Sequence, residues 1–189
     1  MNASTILFLC LAAAPVAALV LWLLWSFNRF VRQRNLLREA WSGIDVQLKR
    51  RHDLVPALVE CVQGYRVHER SVLEHMAEVR SQAQSAQGTT QTSDAENTLS
   101  QSLRSLFALA EAYPDLKADQ SFRQLGDNLV AIEEQLQYAR RYYNGVVRDF
   151  NTRVESFPSQ IVAMLFGFQS AEFFEVESAL ERNAPEVRV

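Results

Sequence analysis

The chain has 189 residues, 48% of them hydrophobic, and a formal net charge of -3. After an apolar N-terminal run, enough chain remains for one domain with a single core. The acidic balance argues against a dedicated nucleic-acid binder, and two cysteines cannot build a disulfide framework, which fits a reducing compartment.

The first predicted element is the run Ile6–Trp25, 20 residues without a charge or a strong polar group, followed at once by Arg29, Arg32, Arg34 and Arg38. As a helix it spans roughly 30 Å, the thickness of a bilayer's hydrocarbon core. A cleaved signal peptide would need a basic n-region, a shorter apolar stretch and a small-residue cleavage site. This run begins without a base and ends in Trp22, Leu23, Leu24 and Trp25. Cys10 does not mark lipoprotein processing, because Leu7, Phe8 and Leu9 before it are too large. The arginine flank places everything after residue 28 in the cytoplasm and the N-terminus outside.

Past the anchor, apolar residues recur at steps of three and four: Leu37, Trp41, Ile44, Leu48, Arg51, Val55, Leu58, Val62, Tyr65, Glu69, Val72, Met76, Val79 and Ala83. Pro56 removes a backbone donor inside this pattern and predicts a kink or break near residues 51–56. The small, polar stretch from Gln84 to Asn97 reads as a loop. Ser93 or Asp94 then caps a shorter helix bearing Leu99, Leu103, Leu106, Ala110 and Tyr113. After Pro114, with Asp119 as a cap, Phe122, Leu125, Leu129, Ile132, Leu136, Ala139, Tyr143, Val146 and Phe150 form a heptad seam that ends by Pro158. The apolar stretch from Ile161 to Phe174 should pack on the bundle end or meet a partner, with Phe166, Phe168 and Phe173 as its large groups. The predicted fold class is all-α, a long antiparallel four-helix bundle behind one N-terminal transmembrane helix. The expected divisions are an anchor at 1–27, a cytoplasmic bundle at 28–175 and an acidic, flexible tail at 176–189.

Several segments resemble the LemA family of bacterial membrane-anchored proteins. They are Phe27-Asn28 with Arg34-Asn35, Ala40-Trp41, the block from Leu48 to Glu69, the run from Ala112 to Lys117, Tyr143-Asn144, Phe150-Asn151, Pro158, Gly167-Phe168 and Phe173. The resemblance runs from Phe27 over nearly the whole remaining chain. It implies a bundle of long antiparallel helices behind one segment that crosses a bacterial inner membrane, and it does not imply a known enzymatic activity. Cys61 departs from the usual pattern, where a hydroxyl residue is expected, and so do Arg66 and Val67, where small residues are common.

No arrangement of residues points to a reaction. Glu-x-x-His pairs of a carboxylate di-metal bundle are missing, since Lys49, Tyr65 and Val72 stand three before His52, His68 and His75. Val72 also interrupts a would-be HExxH, and the histidines read as solvated. No nucleophile elbow or phosphate-cradling glycine loop occurs, and Cys61, next to the seam, reads as a small buried hydrophobe. Hence no catalytic, metal or cofactor residue is expected. Arg51, beside Asp53 and near Pro56, occupies a core-facing position: either helix curvature turns it to solvent, or it pairs with Glu133 or Glu134 and fixes register. The aromatic-Asn pairs Tyr143-Asn144 and Phe150-Asn151 call for a hydrogen-bonding role, in contacts between helices or in a partner groove. Gly43, Gly64, Gly126 and Gly145 suggest close helix approach. The leading expectation is a non-enzymatic, membrane-tethered scaffold or adaptor; the alternative is a self-assembling membrane-shaping or lipid-binding protein. Its partners would be the bilayer through residues 6–25 and an unidentified membrane or cytoplasmic protein, with homo-oligomerisation open and neither nucleic acid nor small-molecule substrate expected.

Overall fold

A computed structural model describes residues 3–64 and 70–175, and side chains from residue 13 onward. The expectations for Cys10, for residues 65–69 and for the tail at 176–189 lie outside what is described. Among the described residues every regular element is helical: α1 (Ala3–Gly64), α2 (Arg70–Ser85), α3 (Thr89–Glu111), α4 (Pro114–Ala118), α5 (Gln120–Glu155) and α6 (Ser159–Phe166).

Of the kink or break expected near residues 51–56, no break occurs: α1 is assigned as one helix through Pro56. A proline there leaves the carbonyl four residues back, that of His52, without its helical donor. Arg80 of α2 supplies the missing donor, its Nε lying 2.8 Å from the His52 carbonyl oxygen. The helix therefore stays continuous with its backbone satisfied.

The polar stretch after Gln84 also differs from the expected loop. α2 runs to Ser85, only residues 86–88 are irregular, and α3 begins at Thr89 behind Gly88 (φ 78°). Ser93 and Asp94 lie inside the helix and do not cap it. Low local propensity is overridden by tertiary contacts, since Thr92, Ser93 and Glu96 are all buried. α4 was not anticipated. Asp119 does cap α5: its carboxylate accepts the Phe122 N–H at 2.9 Å, the bond an N-cap side chain makes to the first turn.

The chain divides into two compact units. One comprises Ala40–Asn144 with Glu172–Val189, the other Met1–Glu39 with Gly145–Ala171. In the first, one core gathers Val55, Leu58 and Val62 of α1, Leu73, Met76, Val79 and Ala83 of α2, Leu99, Leu103, Leu106 and Ala110 of α3, Leu116 of α4, and Phe122 and Leu129 of α5. Burial of each large side chain contributes about 1.5–3 kcal/mol. In α2 the inward position is Leu73, with Val72 only half-buried.

The second unit has an aromatic centre. Phe30 stacks on Phe168 (ring centroids 4.7 Å apart) and meets Phe150 edge-on (6.1 Å), while Phe27 lies 4.8 Å from Phe166 and 5.9 Å from Phe168. α6 ends at Gly167, whose φ of 70° is left-handed, and the Phe168 N–H returns to the Ala163 carbonyl at 2.9 Å. That six-to-one bond with a left-handed glycine stops the helix. The four helical glycines do not mark tight packing. A Cβ on Gly43, Gly64 or Gly145 would meet nothing within 4 Å, and one on Gly126 would sit in ordinary contact with the Phe107 ring at 3.5 Å.

Candidate functional site

The most concentrated chemistry lies inside the first unit, at the end of its apolar core. Arg51 is fully buried. Its Nη1 lies 3.3 Å from Glu96 Oε2, its Nη2 donates to the Ser100 hydroxyl, and its Nε is 3.2 Å from Glu133 Oε1. The contact with Glu133 is close enough for an ion pair, although its angle is poor for a hydrogen bond. The other oxygen of Glu96 receives His52 Nε2 at 2.6 Å, and the Ser100 hydroxyl donates to the Glu96 carbonyl at 2.9 Å. Three helices thus meet at one guanidinium. The planar fork of Arg suits this arrangement, because it presents donors in several fixed directions at once.

Of the two sequence readings of Arg51, burial with a carboxylate of α5 is the one found. The partner is Glu133, and Glu134 is exposed. Asp53 and Pro56 lie on the exposed side of α1. His52 departs from the solvated role expected for it: it is only 7% exposed and bonded to Glu96. Glu96 and Ser100 were missed altogether. A signal for Glu96 existed, because positions 96, 99, 103, 106 and 110 continue the same three-and-four stripe one step toward the N-terminus.

A groove of about 370 Å³ opens beside this cluster, lined by Trp41, Asp45, Leu48, Lys49, His52 and Ala83 among others. Arg51, Glu96 and Glu133 are buried against one another, so the cluster ties α1, α3 and α5 together inside the protein. Among the described residues no three His, Cys, Asp or Glu side chains come together in a way that could hold a metal ion. Cys61 is half-buried, and its thiol donates to Asp119 Oδ1 over 3.8 Å. Burial, then the charge of Asp119 and that hydrogen bond, push its pKa up, away from a reactive thiolate.

In the aromatic-Asn pairs the rings pack on α1, while the asparagine amides bond the backbone of the segment after α6. Asn144 holds the extended segment after α6: its Nδ2 donates to the Phe174 carbonyl (3.0 Å) and its Oδ1 accepts the Phe174 N–H (2.9 Å). In the other unit Asn151 does the same with Ala171, at 2.9 and 2.7 Å. Each amide side chain mimics a strand partner for one residue, using donor and acceptor together. Tyr143 adds a hydrogen bond from its hydroxyl to the Glu172 carbonyl at 3.1 Å. Burial raises the Tyr143 pKa, a hydrogen bond with Thr89 opposes this, and the charge of Glu172 adds to it. Ser93 accepts the Glu175 N–H at 3.3 Å, and Asn97 donates to the Glu175 carbonyl at 3.2 Å. Phe174 is buried between these contacts, with Trp41 edge-on to both Phe174 and Tyr143 at 5.4 Å. Phe150 and Phe168 are buried, whereas Phe166 and Phe173 are exposed.

At the N-terminal end, α1 is long and apolar enough to cross a membrane, and only 11% of its most apolar 18-residue window is buried. Val16, Leu19, Leu21, Leu24 and Trp25 are all more than half exposed. Arg29 lies over the Trp25 ring at 5.2 Å, a base and an aromatic at the edge of the apolar run. Together with its relatives, this makes the chain a membrane-associated helical protein.

Comparison with known proteins gives consistent relatives. A protein LemA from Metamycoplasma hominis is 25% identical over 163 residues, covering 82% of this chain and 71% of that protein. Magnetosome protein MamQ from Magnetospirillum gryphiswaldense is 22% identical over 199 residues, covering 92% and 73%. Magnetosome protein MamQ 2 from Paramagnetospirillum magneticum is 22% identical, covering 89% and 72%. These names designate an organelle or a family and no reaction. The LemA family model matches residues 40–189, the region that holds the Arg51 cluster and the asparagine clasps, and the chain belongs to the LemA family.

Proposed function

We propose that this protein is a membrane-tethered, non-enzymatic scaffold whose helices, an antiparallel four-helix bundle, act through protein contacts on the cytoplasmic face. The observation that carries the reading is that the most reactive-looking residues of the interior, Arg51, His52, Glu96 and Glu133, answer one another and leave no group directed at a substrate. The same helix that supplies Arg51 and His52 also carries the apolar run, in one uninterrupted element. The arginines after Trp25 favour the cytoplasmic orientation, and one helix long and apolar enough to cross a membrane among the described residues supports a single-pass arrangement. A self-assembling lipid-binding role is the second reading, favoured by the apolar outer surface of α6.

Proximity labelling with a biotin ligase fused after Val189 tests the first reading. A reproducible protein set is expected, distinct from that labelled by residues 1–38 joined directly to the same ligase. Identical sets for both fusions would count against a scaffold, because the helices would then add no partner.

A further inference from the structure

We propose that α6 is a second, in-plane contact with the membrane, its Ile161, Met164 and Leu165 face seated at the boundary of headgroups and acyl chains in an anionic phospholipid bilayer. The inference rests on the reading of Ile6–Trp25 as a membrane span, and it assigns a role to a separate element. Positions 161, 164 and 165 share one helix face, and they are 49%, 73% and 67% exposed. The opposite side is satisfied: Val162 and Ala163 are buried in the unit's core. Phe157, just before the helix, is 82% exposed. Such a cluster of large apolar side chains facing outward marks an interface.

The occupant follows from where α6 is held. Phe166, its last residue, packs on Phe27 with ring centroids 4.8 Å apart. Phe27 is two residues beyond Trp25, about 3 Å along the helix axis. The C-terminal end of α6 therefore lies beside α1 close to where the apolar run of α1 ends. The chemistry around it matches: residues 156–171 contain no charged side chain, while the rest of this unit carries Arg29, Arg32, Arg34, Arg38, Arg148 and Arg153 against Glu39, Asp149 and Glu155. An uncharged apolar surface in a basic surround is what an anionic leaflet recognises. Arg153 is held partly out of water near Arg29; burial first, then that like charge, lowers its pKa, and an anionic headgroup would offset both.

Environment-sensitive labelling tests this on the full chain. Cys10 and Cys61 are replaced by Ala, and single cysteines carrying a nitrobenzoxadiazole dye are placed by Leu165→Cys, Leu19→Cys or Gln135→Cys. The protein is reconstituted in phosphatidylglycerol and phosphatidylethanolamine vesicles with or without spin-labelled lipid, and Met164→Cys serves as an independent second probe of α6. Quenching at 165 and 164 of at least half that at 19, with none at 135, is expected. Labels on α6 that behave like 135 while 19 is quenched would overturn the proposal and leave the anchor standing. Absence of quenching at 19 as well would overturn the anchor and the proposal together. A shielded but unquenched label on α6 would give the surface to a protein partner and defeat the lipid assignment.

Discussion

Arg51 holds two carboxylates that have no water to turn to, so removing it is costlier than forming the ion pairs was favourable. Arg51→Met should lower the unfolding free energy of the full-length chain in detergent by about 3–5 kcal/mol, read from denaturant titration. Replacing Glu96 and Glu133 by Leu in the same variant should recover most of it, because the buried charges that lost Arg51 are then gone. A loss below ~1 kcal/mol for Arg51→Met alone would assign the cluster no such role. The asparagine clasps are smaller and more exposed. Asn144→Ala should cost about 1 kcal/mol and speed hydrogen exchange at the Phe174 amide, with Asn144→Asp intermediate because it still accepts that N–H. Unchanged exchange at Phe174 would show that the clasp does not order the segment. Neither arrangement was fully legible in the chain. Arg51 stood out because it breaks an apolar stripe, but nothing local distinguishes Glu133 from Glu134 except which of two adjacent helix positions turns inward. Asn144 and Asn151 announced a hydrogen-bonding need, while their partner is backbone, and backbone leaves no mark in a sequence.

At the level of elements the periodic pattern carried most of the reading, since apolar residues at three-and-four spacing have one way to leave water. Phe122, Leu129, Leu136, Tyr143, Val146 and Phe150 of the α5 seam are all buried, with Leu125, Ile132 and Ala139 half-buried. Leu129→Ala should therefore cost about 2–5 kcal/mol, whereas Gln135→Ala, on the exposed side, should stay within about 0.5 kcal/mol, both by denaturant unfolding. Equal effects would mean the seam does not face a core. Gln137, two positions further on, is half-buried and makes a poorer control. The pattern failed where polar residues occupy inward positions. Thr92, Ser93 and Glu96 hid the first two turns of α3 because their burial depends on the segment around Glu175 and on Arg51, both far away in sequence. α6 was similarly ambiguous, as a run of apolar residues alone cannot say which of them face inward.

At the scale of the whole molecule, charge and hydrophobicity are sorted along the chain. The unit containing the apolar run carries six arginines against three acids, so the remaining residues hold the acidic excess of a chain whose total is -3. If positive residues beside the run set its direction, a reporter fused after Val189 should be active only in a form that works in the cytoplasm. Exchanging Arg29, Arg32, Arg34 and Arg38 for Gln should weaken that bias. Activity of an exported-only reporter at the same position would reverse the orientation.

The bond from Arg80 to the His52 carbonyl carries a further implication, one of timing in biosynthesis. His52 is made 28 residues before the side chain that completes its backbone. At a translation speed of about 5–20 residues per second, that interval is roughly one to six seconds. Throughout it, newly made α1 has an open carbonyl at its proline, which water must occupy. The backbone of α1 at Pro56 is thus fully bonded only after α2 has been made and Arg80 has reached the His52 carbonyl.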